Sequence, residues 1–372
     1  MSGAGQRAGG ELPPVEADIT SSTESFRSAG SPGAIVTMRD VAKATGVSQS
    51  TVSRVLSGAP TVVPIAPDTR ERVVAAARRL GYRPNPLARG LRGARTMLLG
   101  VIVREITDPF FAGAVEAVSI EAGRRGYNVV LGTAHARADE AIALWAVLEA
   151  RHCDAIVLLG DMHDQPRVIE DLRNSQVPVV ALWEGSRPTG IASVSVDNRA
   201  GIQAIMEHLL GLGHRRIAFV GGRPLGDIAE REEAFVDAVA QSGEPLRKGY
   251  VRSTTNNPAG GKDALRALLK LPERPTAVVF ATDALAIGGL YGAYEHGLRV
   301  PNDLSITGFD DIPLAAYAVP ALTTVHMPVH EMVATGVAMV IDHQNGQEPE
   351  MTNPVLMPSL VIRDSTAPPS RE

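Results

Sequence analysis

The sequence predicts a small all-α N-terminal domain followed by a larger α/β body with parallel sheets. Before residue 82, apolar residues recur at helical spacing in short segments that glycines and prolines interrupt. From Thr96 onward, short aliphatic runs alternate with amphipathic helical segments, which is typical of parallel sheets covered by helices on both faces.

The sign of the net charge also changes near residue 96, where the sequence pattern changes. Residues 34–95 contain eleven Lys or Arg and three Asp or Glu, a net charge of +8. Since the whole chain carries −5 and residues 1–33 carry −2, residues 96–372 carry −11. A basic module on an acidic body favours a DNA-binding protein with a separate regulatory domain.

The first two predicted helices lie in TMRDVAKATGVSQSTVSRVL, residues 37–56. Thr37 and Ser48 can each cap a helix, and Gly46 supplies the positive φ that a tight turn between helices needs. The buried stripe of the first helix is expected to be Val41, Ala42 and Ala44. The second helix has an apolar face of Val52, Val55 and Leu56 and a polar face of Gln49, Ser50, Ser53 and Arg54.

This pattern describes a helix-turn-helix whose polar face suits the major groove of DNA. Gln pairs with adenine, Arg pairs with guanine, and Ser or Thr contacts base edges or phosphates. An ordinary helical hairpin with a solvated polar face has the same pattern.

A third helix is expected after a proline-containing loop at residues 59–67. Asp68 to Glu71 has the spacing of a capping box, and Gly81 ends the helix. Its buried stripe is Val73, Ala77 and Leu80. The basic link that follows, residues 82–92, is either a segment poised between coil and helix, begun by Asn85 and Pro86, or a linker stiffened by proline.

The body is predicted to form two similar parallel-sheet subdomains, because about 270 residues exceed what one such sheet usually needs. Ligands of such sheets bind at the carboxyl ends of the strands, so a cleft between the subdomains is expected there. The predicted strands are Leu98–Val103, Asn128–Leu131, Ala155–Leu159, Val177–Leu182, Ser193–Val196, Ile217–Val220, Ala277–Phe280 and Leu304–Gly308.

Composition excludes several classes of protein. Cys153 has no second cysteine for a disulfide and no zinc-ligand set around it, so we expect it to pack in the core. No apolar run is long enough to span a bilayer and no signal peptide is evident, which predicts a cytoplasmic protein. No glycine motif for a nucleotide cofactor is present, so no cofactor is expected.

The order of motifs resembles the lactose/galactose repressor (LacI/GalR) family of bacterial transcription regulators over residues 36 to about 366. The motifs are DVAKATGVSQSTVSRVLSG at 40–58, TRERV at 69–73, GYRPNPLARGL at 81–91, DPFF at 108–111, LGHRRIAFVGG at 212–222, VPNDLSITGFDD at 300–311 and PALTTVHMP at 320–328. The resemblance implies a body like that of type I periplasmic binding proteins.

The domains expected from this resemblance are a disordered tail (1–35), a helix-turn-helix DNA-binding headpiece (36–82), a hinge helix or linker (83–95), an effector-binding and dimerisation domain (96–366) and a C-terminal tail (367–372). A homodimer on a near-palindromic DNA operator is implied. The chain lacks terminal apolar heptads for a tetramer. The loop at 59–67 is about three residues longer than is usual in the family.

DNA contacts carried over by motif fall in the headpiece and the hinge. Gln49, Ser50 and Arg54 match positions that read bases, and Leu91 matches a leucine that wedges into the minor groove and bends the duplex. The residues expected mainly to position phosphates are Thr37, Ser48, Thr51, Ser53 and Asn85. The hinge residues Ala88 and Arg89 complete the set.

Effector contacts that match family positions are Phe110, Phe111, Arg231 and Asp283, and His135 and Asn256 lie in other loops expected at the cleft. Each has a structural alternative: the phenylalanines as core, Arg231 as an ion pair, Asp283 as a helix cap, and His135 and Asn256 as loop residues. Trp183 and Met327 stand where relatives often place polar groups, which predicts a more apolar pocket. The effector is expected to be a sugar or glycoside; the apolar pocket leaves open a deoxy, substituted or aromatic-linked glycoside, or a ligand that is not a sugar.

Three functions are compatible with these features. The first is a transcription regulator, usually a repressor in this family, whose operator binding a small molecule controls. The second is a sugar-acting enzyme with an attached DNA-binding segment, which needs a carboxylate pair or an activated nucleophile in the cleft. The third is an extracytoplasmic solute-binding protein, against which the basic headpiece argues.

Overall fold

The computed structural model describes residues 36–57, 64–82, 95–135, 137–150, 153–160, 166–183, 190–223, 226–344 and 353–370. The chain separates into two compact units between Asn85 and Pro86. The predicted hinge residues Asn85, Ala88, Arg89 and Leu91 lie outside the described residues, as do residues 59–63 of the predicted long loop.

The first unit contains three described helices, α1 (Met38–Thr45), α2 (Gln49–Ser57) and α3 (Pro67–Leu80). Ahead of α1, the Thr37 amide and hydroxyl donate to the Asp40 carboxylate at 2.8 and 2.7 Å. Gly46 ends α1 with φ of 68°, a conformation that glycine adopts without a steric penalty. The predicted turn between the first two helices is therefore confirmed.

Two details of this unit differ from the sequence-based prediction. Ala44 is exposed, because it lies about 200° around the helix from the buried Ala42. The third helix begins at Pro67, one residue before the predicted capping box at Asp68. Proline suits that position because the first helical N–H has no intrahelical partner to lose.

In the second unit, a six-stranded sheet forms the first subdomain, in the order β11-β5-β4-β3-β1-β2, with all neighbours parallel. Buried aliphatic side chains fill its central strands. Its strands are β1 (Leu98–Val103), β2 (Asn128–Thr133), β3 (Ala155–Leu159), β4 (Val179–Leu182), β5 (Ala192–Val196) and β11 (Val355–Leu356).

A four-stranded parallel sheet forms the second subdomain, in the order β7-β6-β8-β9. Its strands are β6 (Ile217–Gly221), β7 (Val251–Ser253), β8 (Ala277–Phe280) and β9 (Ser305–Thr307). A separate antiparallel pair joins β10 (Thr324–His326) to β12 (Ser359–Val361). In both parallel sheets the first strand lies between the next two in the chain, so both have a crevice at their carboxyl ends.

Helices cover both sheets. They are α4 (Pro109–Arg124), α5 (Ala138–Ala150), α6 (Pro166–Arg173), α7 (Asn198–Gly211), α8 (Gly226–Gln241), α9 (Pro258–Leu268), α10 (Asp283–Glu295) and α11 (Val329–Gln344). A 3₁₀ helix spans Pro313–Tyr317. None of the helices in the described ranges is both long and apolar enough to cross a membrane.

The predicted fold class is confirmed, and all eight predicted strands are present. The four strands that the prediction missed are two or three residues long and partly exposed, so they carry little hydrophobic periodicity. Cys153 packs in the core as predicted, and burial raises the pKa of its thiol to about 11. Ala367, the first residue of the predicted C-terminal tail, is hydrogen-bonded to the body, because its carbonyl accepts from the His214 imidazole at 2.9 Å.

Candidate functional site

The polar face of α2 presents Gln49, Ser50 and Arg54 to solvent. The Ser48 hydroxyl accepts a hydrogen bond from the Thr51 amide at 3.0 Å, so Ser48 caps α2 as predicted. Amide, hydroxyl and guanidinium groups on one helical face match the donors and acceptors of base edges in a major groove.

The rest of the first unit holds α2 in place. Val52 and Val55 are buried against residues of α1 and α3, including Val41 and Val73. Ser53 and Thr51 are half-buried beside the polar face, and Thr37 is exposed before α1. This apolar core orients the polar face of α2 without involving it in packing.

In the second unit, the carboxyl ends of both sheets surround a cavity of about 440 Å³, including its part open to solvent. Arg104, Gly160 and Trp183 directly follow β1, β3 and β4 of the first subdomain. The lining residues of the second subdomain that follow strands are Asn256, Thr282 and Asp310. Asp108, Phe110, Phe111, Asp227, Ile228 and Arg231 complete the described lining. The cavity lies where the topology predicts a ligand site.

An aromatic wall lines the first-subdomain side. The Phe110 ring meets the Trp183 ring edge to face at a centroid distance of 5.0 Å and the Phe111 ring at 5.4 Å. Asp108 caps the helix that carries both phenylalanines, since its carboxylate accepts from the Phe110 amide at 3.1 Å. The sequence-predicted residues Phe110, Phe111 and Trp183 are therefore brought together.

Gly160 gives these rings their space. Its φ is +95°, and an added Cβ would lie 2.8 Å from Cζ of Phe111 and 3.1 Å from Cβ of Arg104. We expect Gly160→Ala to lower the free energy of unfolding by about 1–3 kcal/mol, because it combines backbone strain with overpacking. Urea unfolding followed by tryptophan fluorescence measures this. Gly243→Ala is a matched control, since Gly243 also has positive φ but no atom within 4 Å of its added Cβ. An equal loss in both variants would contradict the proposed overpacking.

Arg231 is the buried cation on the second-subdomain side, with 3% of its surface exposed. Its guanidinium donates to Asn198 Oδ1 at 2.8 Å, to the Ala281 carbonyl at 2.7 Å and to Asp310 Oδ1 at 3.1 Å. It also lies 3.7 Å from the centroid of the Phe309 ring. These contacts fix one planar, multidonor group at the cavity.

A hydrogen bond crosses the cleft. The Asn256 side-chain amide donates to Asp108 Oδ2 at 3.1 Å and its oxygen accepts from the Thr282 hydroxyl at 2.7 Å. Burial raises the pKa of Asp108, although hydrogen bonding to the Phe110 amide opposes the shift. Burial also raises the pKa of Asp310 well above its usual range, against the opposing charge of Arg231. Asn256, whose sequence-based assignment was open, thus lies in the cleft.

Three predicted cleft residues are placed elsewhere. Asp283 is 0% exposed, and its carboxylate accepts from the Ile312 amide at 2.9 Å and the Thr324 hydroxyl at 2.6 Å. Met327 is 1% exposed in the hydrophobic core. His135 is exposed, with its imidazole against Glu140. None of the three is among the described cleft-lining residues, and Asp283 and Met327 are buried, so their assignment as effector contacts stays a prediction.

The cap of α10 is also assigned differently. The Thr282 hydroxyl accepts from the Leu285 amide at 3.3 Å, so the threonine is the cap and Asp283 begins the helix. Arg104, Asp227, Thr282 and Asp310 line the cleft but were missed from the sequence. Two of these residues could have been found from their positions in the sequence. Arg104 directly follows a predicted strand, and Asp310 lies within the motif VPNDLSITGFDD.

Comparisons with known proteins cover both units. Residues 37–85 match the bacterial regulatory proteins of the lacI family, and residues 206–366 match a periplasmic binding protein-like domain. Catabolite control protein A of Priestia megaterium is 33% identical over 334 residues, which is 89% of this chain and 99% of that protein. The transcriptional repressor CytR of Escherichia coli strain K12 is 32% identical, covering 89% of this chain and 96% of its own length.

Two solved structures of transcription regulators also match this chain over most of its length. The Lac repressor dimer bound to operator and the anti-inducer ONPF is 28% identical with a TM-score of 0.80, covering 90% of this chain and 100% of its own. A complex of the transcriptional regulator CelR with cellobiose is 30% identical with a TM-score of 0.65, covering 89% and 99% of the two chains.

Proposed function

Because the chain belongs to the LacI family of bacterial regulatory proteins, we propose that α2 reads operator bases while the cleft of the body binds the controlling effector. The chain is a DNA-binding transcription regulator of a family of repressors that small molecules control. The observation that carries the assignment of α2 is its exposed face of Gln49, Ser50 and Arg54 over a buried valine core.

We propose the domain boundaries 36–82 for the headpiece, 83–95 for the hinge and 96–366 for the body. We further propose that two copies bind one near-palindromic operator, as a twofold dimer requires. A related Lac repressor structure is a dimer on its operator. The hinge residues Asn85, Ala88, Arg89 and Leu91 are proposed to add backbone and minor-groove contacts.

The proposed effector is a sugar or a sugar derivative held between the two subdomains. A related regulator, CelR, has been solved in complex with cellobiose. In this chain, the aromatic wall of Phe110 and Trp183 supplies a surface for a ring, and Arg231 and Asp310 supply buried polar groups opposite. An effector that binds both walls favours the closed cleft, so differential affinity for the closed state couples it to DNA binding.

The relatives above are bacterial transcription regulators, so we propose that the protein acts in the cytoplasm and has no enzymatic activity. None of these relatives supports the alternative of a sugar-acting enzyme. Incubation of the full-length protein with glycosides, followed by product analysis, tests this point; turnover would contradict it.

The operator assignment is tested by sequencing fragments that the full-length protein retains from random DNA. We expect a near-palindromic site, and we expect Arg54→Ala to weaken binding to it by about 1–3 kcal/mol and to relax the preference at one position of each half-site. Fluorescence-anisotropy titrations of the selected site and of an unrelated fragment measure both effects.

A matched control is Arg79→Ala, which removes the same charge from the exposed surface of α3. We expect this variant to keep the sequence preference of the parent protein, because its side chain is not on α2. An Arg54→Ala variant that selects the same sequences with the same preference would contradict the base-reading role of Arg54.

A further inference from the structure

On the premise that the cleft is the effector site, we propose that the effector is a sugar acid or a sugar phosphate. Its carboxylate or phosphoryl group would bind the Arg104 guanidinium and the Trp183 indole N–H on the first-subdomain wall. Its hydroxyl groups would face the carboxylates on the opposite wall.

Arg104 directly follows β1 and lines the first-subdomain wall of the cleft. Its amide donates to the Leu159 carbonyl at 2.9 Å, which holds the residue at the end of β1. In the described part of the chain, its Nε is buried and has no hydrogen-bond acceptor, and no carboxylate lies within 4.0 Å of its guanidinium. Arg104 as a whole is half-buried, but a buried guanidinium nitrogen without an acceptor is unfavourable. A planar carboxylate or a phosphoryl group is the preferred partner of a guanidinium.

Asp108 does not supply that partner. The two carboxylate oxygens of Asp108 already accept from the Phe110 amide and the Asn256 side chain. Arg104 acts on Asp108 only through its field, which opposes the rise in the pKa of Asp108 that burial causes. The guanidinium therefore remains available to an incoming anion.

Trp183 provides a second donor on the same wall. It is 2% exposed, and its buried Nε1 has no acceptor among the residues that the structure describes. The Trp183 amide donates to the Val194 carbonyl at 3.1 Å, and its φ of 59° lies in a region that tryptophan rarely adopts. Arg104 and Trp183 follow β1 and β4, and β3 lies between these two strands in the sheet, so both residues lie at the same edge of it.

The opposite wall has the reverse polarity. Arg231 is already bound to Asp310 at 3.1 Å and lies 3.9 Å from Asp227 Oδ2, so its charge faces two carboxylates. Those carboxylates accept hydrogen bonds, as sugar hydroxyls supply. A ligand with an acidic group at one end and hydroxyls at the other matches both walls. A neutral glycoside leaves the charge of Arg104 without an anion.

Isothermal titration of the full-length protein with matched probes tests the proposal. The carboxylate pair is D-galacturonate and D-galactose, the phosphate pair is D-glucose 6-phosphate and D-glucose, and inorganic phosphate is added alone. We expect at least one acidic sugar to bind at least about tenfold more tightly than its neutral counterpart. The pair that shows the preference distinguishes a carboxylate from a phosphoryl group.

Variants assign the preference to Arg104. Arg104→Gln is expected to weaken the acidic sugar about 10- to 100-fold and to change its neutral counterpart less than about threefold. Arg104→Lys should retain part of the preference, because it keeps the charge but loses the planar fork. Trp183→Phe, which removes only the N–H and part of the ring, should weaken the acidic sugar about three- to tenfold. Arg124→Gln on the exposed end of α4 is the matched control.

Three outcomes overturn the proposal while leaving the regulator function intact, because operator binding is measured separately on each protein. One is a neutral sugar that binds as tightly as its acid. Another is an acidic sugar whose affinity Arg104→Gln and Trp183→Phe both leave unchanged. The third is the absence of binding by every acidic probe. Loss of sequence-specific DNA binding by the parent protein would instead contradict the proposed function itself.

Discussion

Replacing Arg231 by methionine is expected to lower the free energy of unfolding of the body by about 3–5 kcal/mol at neutral pH. The change leaves the buried Asp310 carboxylate without its cation and removes the donors to Asn198 and the Ala281 carbonyl. Methionine nearly fills the volume, so the loss comes mainly from uncompensated polar groups. Urea unfolding followed by circular dichroism measures the change.

Two further variants separate the contribution of the ion pair to stability from the contribution of packing. Arg199→Met removes an exposed arginine of α7 that pairs with Asp237 at 2.7 Å, and a change within about 1 kcal/mol is expected. The double variant Arg231→Met with Asp310→Leu should recover part of the loss, because neither charge remains buried alone. A double variant no more stable than Arg231→Met would contradict the importance of the Arg231–Asp310 pair.

Replacing Asp283 by alanine is expected to lower the free energy of unfolding by about 2–5 kcal/mol. The alanine leaves the Ile312 amide and the Thr324 hydroxyl without their acceptor in a fully buried site. Those bonds join the start of α10 to the segment after β9 and to β10, so their loss loosens one edge of the second subdomain. Thermal unfolding of the full-length protein checks this.

Asp283→Asn is the matched control, because its oxygen can accept from Ile312 and its amide can donate to the Thr324 oxygen. We expect it to be much more stable than the alanine variant. An alanine variant with parental stability and no response to an effector would contradict the structural role and return Asp283 to the ligand site.

Asp283 is also expected to make the free energy of unfolding depend on pH. Burial raises the pKa of Asp283 to about 7, whereas an unfolded aspartate has a pKa of about 3.9. The native state therefore holds the proton more tightly. The contribution of Asp283 to the free energy of unfolding is greatest below about pH 4 and is lost as the pH rises through about 7. Subtracting the pH profile of Asp283→Asn from that of the parent isolates this slope; parallel profiles would contradict it.

The helices and turn of the first unit could be predicted from the sequence because the interactions that form them are local. Ser48 bonds to Thr51 three residues away, and Gly46 supplies its own backbone conformation. The buried face of α2 follows from the 3.6-residue period, which places Val52 and Val55 together. The strands of the body were recognisable for a similar reason, since buried parallel strands are continuous aliphatic runs.

Only some of the residues that line the cleft could be predicted from the sequence. The residues predicted from the family resemblance that do line it are Phe110, Phe111, Trp183, Arg231 and Asn256. Asp283 and Asp310 are both acids near a strand end, but the direction of a side chain after a strand depends on what surrounds it. Packing against β9 and β10 turns Asp283 into the core, whereas Asp310 lies beside Arg231, seventy-nine residues earlier in the chain.

The sequence by itself determined the two-part architecture, the helix-turn-helix and the strand order along the chain, because periodicity, glycine turns and caps act over a few residues. Only the tertiary structure decided which polar groups share the cleft and which of them lack partners. Arg104 and Trp183 follow different strands, and the fact that no described residue accepts from Arg104 Nε or Trp183 Nε1 depends on residues far away in the chain. Burial and pairing are properties of the packed molecule, so they decide what the cleft can bind.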